Sequence, residues 1–469
     1  MTAPTTYATA EGGVYELVAR GNKDAYFFQD FPDSKFLFDN SYEAQAPFSK
    51  EMRRVPPKSA AEFGRTVDFD IDVIGDLLQH PTILITLPSW LPKQQEVTNN
   101  TSVIRDSTGI AYGYTNNIAY FLFEQIQFYQ DNILLQEFSG DTLWAVNADQ
   151  GTYGSTFVTQ KLTGGHDGSV LSIQRNATPG LLRLELPLIG CQEGDPGFPL
   201  RSATKHSYRL RCKMRKLEDL VEDSAGSVKP TPWGKSFVQS LRDGSTVSFN
   251  TLPREQIGPL LLQLETIQVY VSREIQEFLE TNPIKLPFKR YFENVFSQNN
   301  ADYINVIQGG QSVIKRRLDG RHPTARLLWY FRSFQDQQKN RLHKIQTDSG
   351  KSYYNTLSLQ IAGQTRELPR TTRIWRDVVN YGKEQLDSGL ELSTMNFTMG
   401  DIAPKRFPDP PSEQPNGTIN MTTADRPTFY IELANPETTP PITQLYVISE
   451  GWAMFQTDGK GRAELFSQN

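Results

Sequence analysis

The chain has 469 residues, a formal net charge of −5, 38% hydrophobic and 11% aromatic residues, and only two cysteines. That length exceeds one ordinary core and fits two domains of about 200 residues each. The mild negative charge argues against bulk nucleic-acid binding, and two cysteines exclude a disulfide framework, leaving Cys191 and Cys212 as buried thiols of a reducing compartment.

The opening residues MTAPTTYATAEGG carry neither a basic n-region nor an apolar core, so they do not read as a secretory signal. No apolar run approaches the roughly 20 residues of a membrane-spanning helix. The 33 Gly and 29 Pro are spread along the chain, and Phe and Tyr dominate the aromatics, a pattern of many short strands joined by turns. In RTVDFDIDV, Val67, Phe69 and Ile71 alternate with Asp68, Asp70 and Asp72. Strands are expected at 83–88, 181–186, 262–271, 353–361 and 443–449. In YRLRCKMRK, Tyr208, Leu210, Cys212 and Met214 oppose Arg209, Arg211, Lys213 and Arg215. Short helices are expected at 217–223, 272–280 and 374–386, and the stretch EDSAGSVKPTPWGKS (222–236) has a linker's composition.

An internal echo runs through the two halves. His-Pro-Thr opens an apolar strand at 80–88 and again at 322–331. Each half then carries a strand, a tight turn and another strand, EQIQFYQDNILLQEF (124–138) and LSLQIAGQTREL (357–368), with Asp131-Asn132 and Ala362-Gly363 as hairpin centres. The shared order predicts one β-domain used twice.

Sequence motifs for catalysis are scarce. The five histidines have no metal-ligand spacing with each other or with the cysteines, and neither a GxSxG nor an HExxH pattern occurs. The acidic run 68–72 reads as a solvated strand face rather than a cation site, and GGHDG (164–168) as a loop. The basic face 209–215 suits packing or an interface, or a charge-guarded edge strand, more than phosphate. Sequons occur at Asn99, Asn100, Asn176, Asn396, Asn416 and Asn420. Asn99, Asn176 and Asn396 are the candidates for glycan, although a chain without a signal sequence would not meet the transferase. In QPNGTINMTTADRPTFYIEL (414–433), Pro415-Asn416-Gly417 is a turn in which glycine supplies a positive φ, followed by strands in TINMTT and TFYIEL.

Five segments, in order, resemble the major capsid proteins of the nucleocytoplasmic large DNA viruses: GGVYELVARGNKDAYFF (12–28), GRTVDFDIDVIGDLL…ILITLP (64–88), LLRLELPLIGCQEGD (181–195), QPNGTINMTT (414–423) and GRAELFSQN (461–469). In the fourth, Pro415, Gly417 and Asn420 match that family's signature and Thr418 and Thr422 keep its hydroxyls, whereas Asn416 stands where the family has Ser. The family's aromatic-Arg-Arg is missing at 36–48, with MRR at 52–54 instead. The resemblance implies an all-β fold of two consecutive eight-stranded antiparallel jelly rolls with short helices in loops. Expected boundaries are an N-terminal arm at 1–25, a first roll at 26–216, a linker at 217–240 and a second roll at 241–469. Loops 92–117, 139–180 and 281–302 would form the outer surface. It further implies a non-enzymatic, cofactor-free homotrimer in a virion capsid assembled in host cytoplasm. Its partners would be neighbouring capsomers, minor capsid and penton proteins and a membrane beneath the shell, with no specific nucleic acid. The alternatives are a β-sandwich that binds or cleaves carbohydrate, for which Glu185 and Glu193 are weak candidates, and a virion spike or receptor-binding protein.

Overall fold

The computed structural model describes residues 47–92, 103–150, 161–191, 195–241, 244–297, 305–307, 311–320, 323–347, 350, 352–378, 392–398, 417–433 and 443–466. Residues 48–469 belong to one compact unit. The strands in chain order are β1 Phe48–Val55, β2 Thr66–Ile71, β3 Leu77–Thr86, β4 Val103–Asp106, β5 Tyr112–Tyr114, β6 Phe123–Gln130, β7 Ile133–Phe138, β8 Leu181–Glu185, β9 Tyr208–Met214, β10 Val221–Asp223, β11 Ser236–Ser240 and β12 Thr246–Asn250. They continue as β13 Leu261–Val271, β14 Lys285–Ser297, β15 Asn305–Ile307, β16 Gln311–Arg317, β17 Pro323–Ser333, β18 Tyr354–Ile361, β19 Gln364–Thr371, β20 Ser393–Asn396, β21 Ile419–Asn420, β22 Thr428–Leu433, β23 Thr443–Thr457 and β24 Ala463–Phe466.

Pairing resolves these into two rolls of the same design. In the first, sheet β1-β13-β3-β8 faces sheet β2-β9-β6-β7; in the second, β14-β23-β17-β20 faces β16-β22-β18-β19. The extra strands β21, β24 and β15 extend the second roll's sheets, and β4, β11 and β12 form a small sheet of their own. The two orders correspond strand for strand, so β3 and β17, which carry the Pro-Thr of the echo, take the same place in their rolls. The hairpins β6–β7 and β18–β19 correspond as well. Asp131 (φ 51°), Ala362 (φ 52°) and Gly363 (φ 74°) adopt the left-handed backbone that tight hairpins need.

The period-two segments form their cores as written. Val67, Phe69 and Ile71 of β2 and Leu210 and Cys212 of β9 are at most 5% exposed. They meet Ile83, Ile85, Leu184 and Leu264 from the opposite sheet in one cluster. The second roll's own core gathers Leu327, Trp329, Phe331, Leu357, Leu359, Phe429, Ile431 and Val447. At its centre Trp329 meets Trp375 and Phe429 edge-on, with ring centroids 5.6 and 5.4 Å away.

Several expectations are corrected. β13 hydrogen-bonds to β1 and β3, so the first roll runs to residue 271 and does not end at 216. The expected linker is packed instead: Leu217, Leu220 and Val221 are fully buried, β10 pairs with β5, and β11 pairs with β4. Its turn-rich composition reflects short strands between bends rather than a free connection. The helix expected at 217–223 shortens to one 3-10 turn, Leu217–Asp219, followed by β10. The supposed outer loop 281–302 contains the thirteen-residue β14. Its Lys289 and Glu293 read as loop polarity but are partnered inside the protein, as shown below. The regions 92–117 and 139–180 contain β4, β5 and the helices Gly140–Gln150 and Val170–Arg175.

Removing the Trp329 side chain leaves a hole beneath two aromatic neighbours. Trp329→Ala is expected to lower unfolding free energy by about 3–5 kcal/mol, read as a lower denaturant midpoint at unchanged slope.

Candidate functional site

The seam between the two rolls concentrates the buried charge of this protein. β17 is buried from Thr324 to Ser333 because its sheet is covered on both faces. Alternate residues therefore serve different neighbours: Leu327, Trp329 and Phe331 enter the second roll's core, while Leu328 and Tyr330 join the cluster of the first. β23 divides the same way, Leu445 and Val447 against Tyr446 and Ile448. From the first roll, the helix Gly140–Gln150 lies against this face, with Trp144 edge-on to Tyr330 at 5.7 Å. Gly140 starts that helix where a Cβ would sit 2.2 Å from the Tyr120 carbonyl oxygen and 2.4 Å from that of Phe123. Any side chain there would push the helix off its seat.

Two charge clusters sit in this apolar setting. Arg326, fully buried, donates from Nη2 and Nε to Glu450 Oε2 at 2.6 and 2.8 Å, and from Nη1 to Asp149 of the first-roll helix. Lys289 Nζ lies 3.3 Å from Glu450 Oε1. Two cations thus meet two carboxylates, and the buried charge cancels. Burial works to raise the Glu450 pKa, but Arg326 and then Lys289 outweigh it and hold the carboxyl at about 2.

Nearby, Asp141 accepts from Arg215 of the first roll at 2.6 Å and pairs with Arg332 of the second at 2.7 Å. Against its burial, Arg332 and Arg215 hold the Asp141 pKa below the ordinary value. Glu293 accepts from Thr142 at 3.0 Å and from Ser139, and burial followed by the Asp141 charge pushes its pKa up. The Arg332 guanidinium covers the Tyr446 ring at 4.8 Å, and Tyr446 stacks on Tyr330 at 4.9 Å with planes 7° apart. Chemically the arrangement can clamp and orient; its carboxylates are engaged by guanidinium, ammonium and hydroxyl groups.

The residues singled out from sequence fall mostly elsewhere. The acidic and basic faces are both engaged: Arg211 Nε donates to Asp68 across the two faces at 2.9 Å, Lys58 pairs with Asp70 at 2.7 Å, and Lys213 with Glu124 at 3.0 Å. β9 lies inside its sheet between β2 and β6, so it is not a guarded edge. Asn176 is buried, its Nδ2 donating to the carbonyls of Tyr114, Thr115 and Gly164 at 2.8, 3.2 and 3.1 Å, which removes it as a glycan acceptor. Asn396 ends β20 opposite Arg326, half-buried. Asn99, Asn100, Pro415 and Asn416 lie outside the described residues.

Gly417 has φ 133°, a region L side chains resist. The strand expected in TINMTT shortens to Ile419–Asn420, because Asn420 Oδ1 accepts from the backbone N–H of Thr422 and Thr423 at 3.0 and 3.3 Å and turns the chain. Both cysteines are free and buried, and burial pushes the Cys191 thiol up to about 12. Among the described residues no group of three or more His, Cys, Asp or Glu could hold a metal ion. Glu185 pairs with His80 at 2.7 Å, and Glu193 lies outside the described residues. The seam itself escaped sequence reading; its one visible trace is three charged residues, Arg326, Arg332 and Glu450, inside long strand-like runs.

No family model and no curated protein sequence matches the chain. Solved structures do. VP54 of PBCV-1, fitted into a reconstruction of the virophage Sputnik, aligns with TM-score 0.69 at 13% identity, covering 92% of this chain and all of that one. The Faustovirus major capsid protein aligns with TM-score 0.58 at 12% identity over 93% and 94% of the two chains. The cryo-EM structure of the Sputnik virophage gives TM-score 0.55 at 10% identity over 94% and 92%. At such identities what is shared is the fold, the double jelly roll of viral major capsid proteins.

Two outcomes follow from the clamp. Arg326→Leu takes the guanidinium from the buried carboxylates of Glu450 and Asp149 and is expected to cost about 3–5 kcal/mol, with partial recovery in Arg326→Leu/Asp149→Leu, which keeps Lys289 with Glu450, both read by urea denaturation. The folded pKa of Glu450 lies below its ordinary 4.5, so its contribution is complete above that value and disappears as pH falls toward about 2. Stability should drop by about 3 kcal/mol more in the native chain than in Glu450→Gln across that window.

Proposed function

We propose that this chain is the structural building block of a viral shell. In this reading it is a major capsid protein whose homotrimers form pseudo-hexagonal capsomers tiling the icosahedral capsid of a large double-stranded DNA virus. One observation carries the reading: the two rolls repeat one strand order, yet corresponding sheet faces have opposite fates. The outer face of β14-β23-β17-β20 is buried under the first roll. On the corresponding first-roll sheet, Phe48, Met52, Leu181 and Leu261 are 54%, 58%, 61% and 60% exposed. Around them, Arg54 and Arg183 pair with Glu265 at 2.9 and 3.4 Å.

If each chain repeats outside what it does inside, this open face receives the second roll of the next chain. Three such steps close a ring of six similar units, and closed symmetry makes the contact self-limiting. The function is mechanical and uses no cofactor. Neighbouring capsomers, minor capsid and penton proteins and an underlying membrane would be the partners, with assembly in host cytoplasm and no specific nucleic acid. The likeness to the PBCV-1 and Faustovirus proteins over nine-tenths of the chain supports the same reading.

Light scattering on the purified full chain should return three times the 53.2 kDa chain mass, with a hexagonal outline in electron micrographs. Leu181→Glu/Leu261→Glu should give a folded monomer with unchanged circular dichroism. A native chain that stays monomeric at high concentration would overturn the proposal.

A further inference from the structure

A second polar cluster lies in the seam, away from Arg326. The segment 340–345 leaves the second roll and enters the first, where Leu342 and Ile345 are 3% and 1% exposed in the first-roll cluster. Asn340 anchors it: Nδ2 donates to the Val221 and Glu218 carbonyls at 2.6 and 2.8 Å, and its own carbonyl accepts from Thr115 Oγ1 at 2.7 Å. Between these anchors His343 packs edge-on against His166 of the first roll, ring centroids 5.9 Å apart.

His166 is held by two hydrogen bonds with Asn116, its N–H donating to Oδ1 at 2.9 Å and its carbonyl accepting from Nδ2 at 2.8 Å. Its Nδ1 accepts from the Gly168 N–H at 3.1 Å, and its Nε2 faces Glu222 of β10. His343 is half-buried as a residue, but its Nδ1 is buried and has no hydrogen-bond partner among the described residues. The groups around it are His166, Arg332, Arg341 and Lys344, and Lys344 lies 3.5 Å from Asp336. Glu222 Oε1 lies against His166 Nε2 rather than His343. Burial and these neighbouring charges disfavour an imidazolium at His343.

We propose that His343, packed on His166, forms an acid-operated latch between the rolls, closed while the His343 ring is neutral and released in mild acid because only the opened segment can take up a proton at His343. The latch rests on the seam's geometry and not on the shell reading. Burial first, then His166 and the neighbouring cations, push the His343 pKa down from 6.5 to about 3. Because the folded value lies below the unfolded one, the contribution to closure is complete above the unfolded value and declines as pH falls toward the folded one. For one such group the ratio of opened to closed segment rises about 30-fold between about pH 7.5 and about pH 5.

Hydrogen exchange on the full chain, corrected for the intrinsic pH dependence of exchange, reads this directly. Protection of 340–345 and 217–223 should fall about 30-fold over that range while β2 and β9 keep theirs. His343→Asn should abolish the response, His166→Asn should shrink it, and the exposed His80→Asn should leave it intact. A native chain whose protection in these segments is flat with pH overturns the latch whether or not the variants fold. So does a response that survives both seam substitutions.

Discussion

Everything distinctive about this chain depends on one sheet, β14-β23-β17-β20, being covered on both faces. A sheet in a lone sandwich presents one face to its core and one to water. Here the second face meets the first roll, so every residue of β17 from Thr324 to Ser333 must be satisfied without solvent. Apolar residues on the seam do this by packing. Arg326, Arg332, Lys289, Glu450 and Glu293 do it through partners at hydrogen-bond distance or in direct ionic contact, several of them supplied by the first roll. Such pairs add little net stability over apolar residues of similar size, but they penalise any other seating of the rolls, because each misplaced partner leaves a charge buried alone.

The repeat makes that constraint useful. Two rolls with one strand order could share no more than a linker, and would then move as beads on a string. The helix Gly140–Gln150, docked through Trp144, Asp141 and Asp149, and the inserted segment 340–345 instead bind each roll to the other from both sides. The result is a double unit whose corresponding sheet faces differ, one covered and one open.

Surface charge has a quieter role. The alternating aspartates of β2 and the cations of β9 lie across from one another in register, Asp68 opposite Arg211 and Asp70 opposite Arg209. Cross-strand pairs of this kind help fix register, since a one-residue slip would set like against apolar along the whole strand. The corner at 417–423 works similarly on a smaller scale. Gly417 permits the backbone, and Asn420 ends the strand by capping the two amides that follow.

By itself, the sequence determined the all-β class, the duplicated plan, the inward faces of β2 and β9 and the places of the two hairpins, because local period-two patterning and turn chemistry depend only on near neighbours. The His-Pro-Thr echo and the paired hairpins marked equivalent places in the two rolls. Tertiary structure decided the rest. Where the first roll ends was hidden, since β13 returns to β1 and β3, far earlier in the chain, and no local composition announces a long-range partner. β14 looked like a loop because charges at Lys289 and Glu293 suggest water, and only the arrival of the first roll turns that surface into an interior. Asn176 looked available to solvent for the same reason, until three backbone carbonyls from distant segments closed around it. Burial of polar groups is a property of assembled surfaces, and single-residue chemistry cannot reveal it.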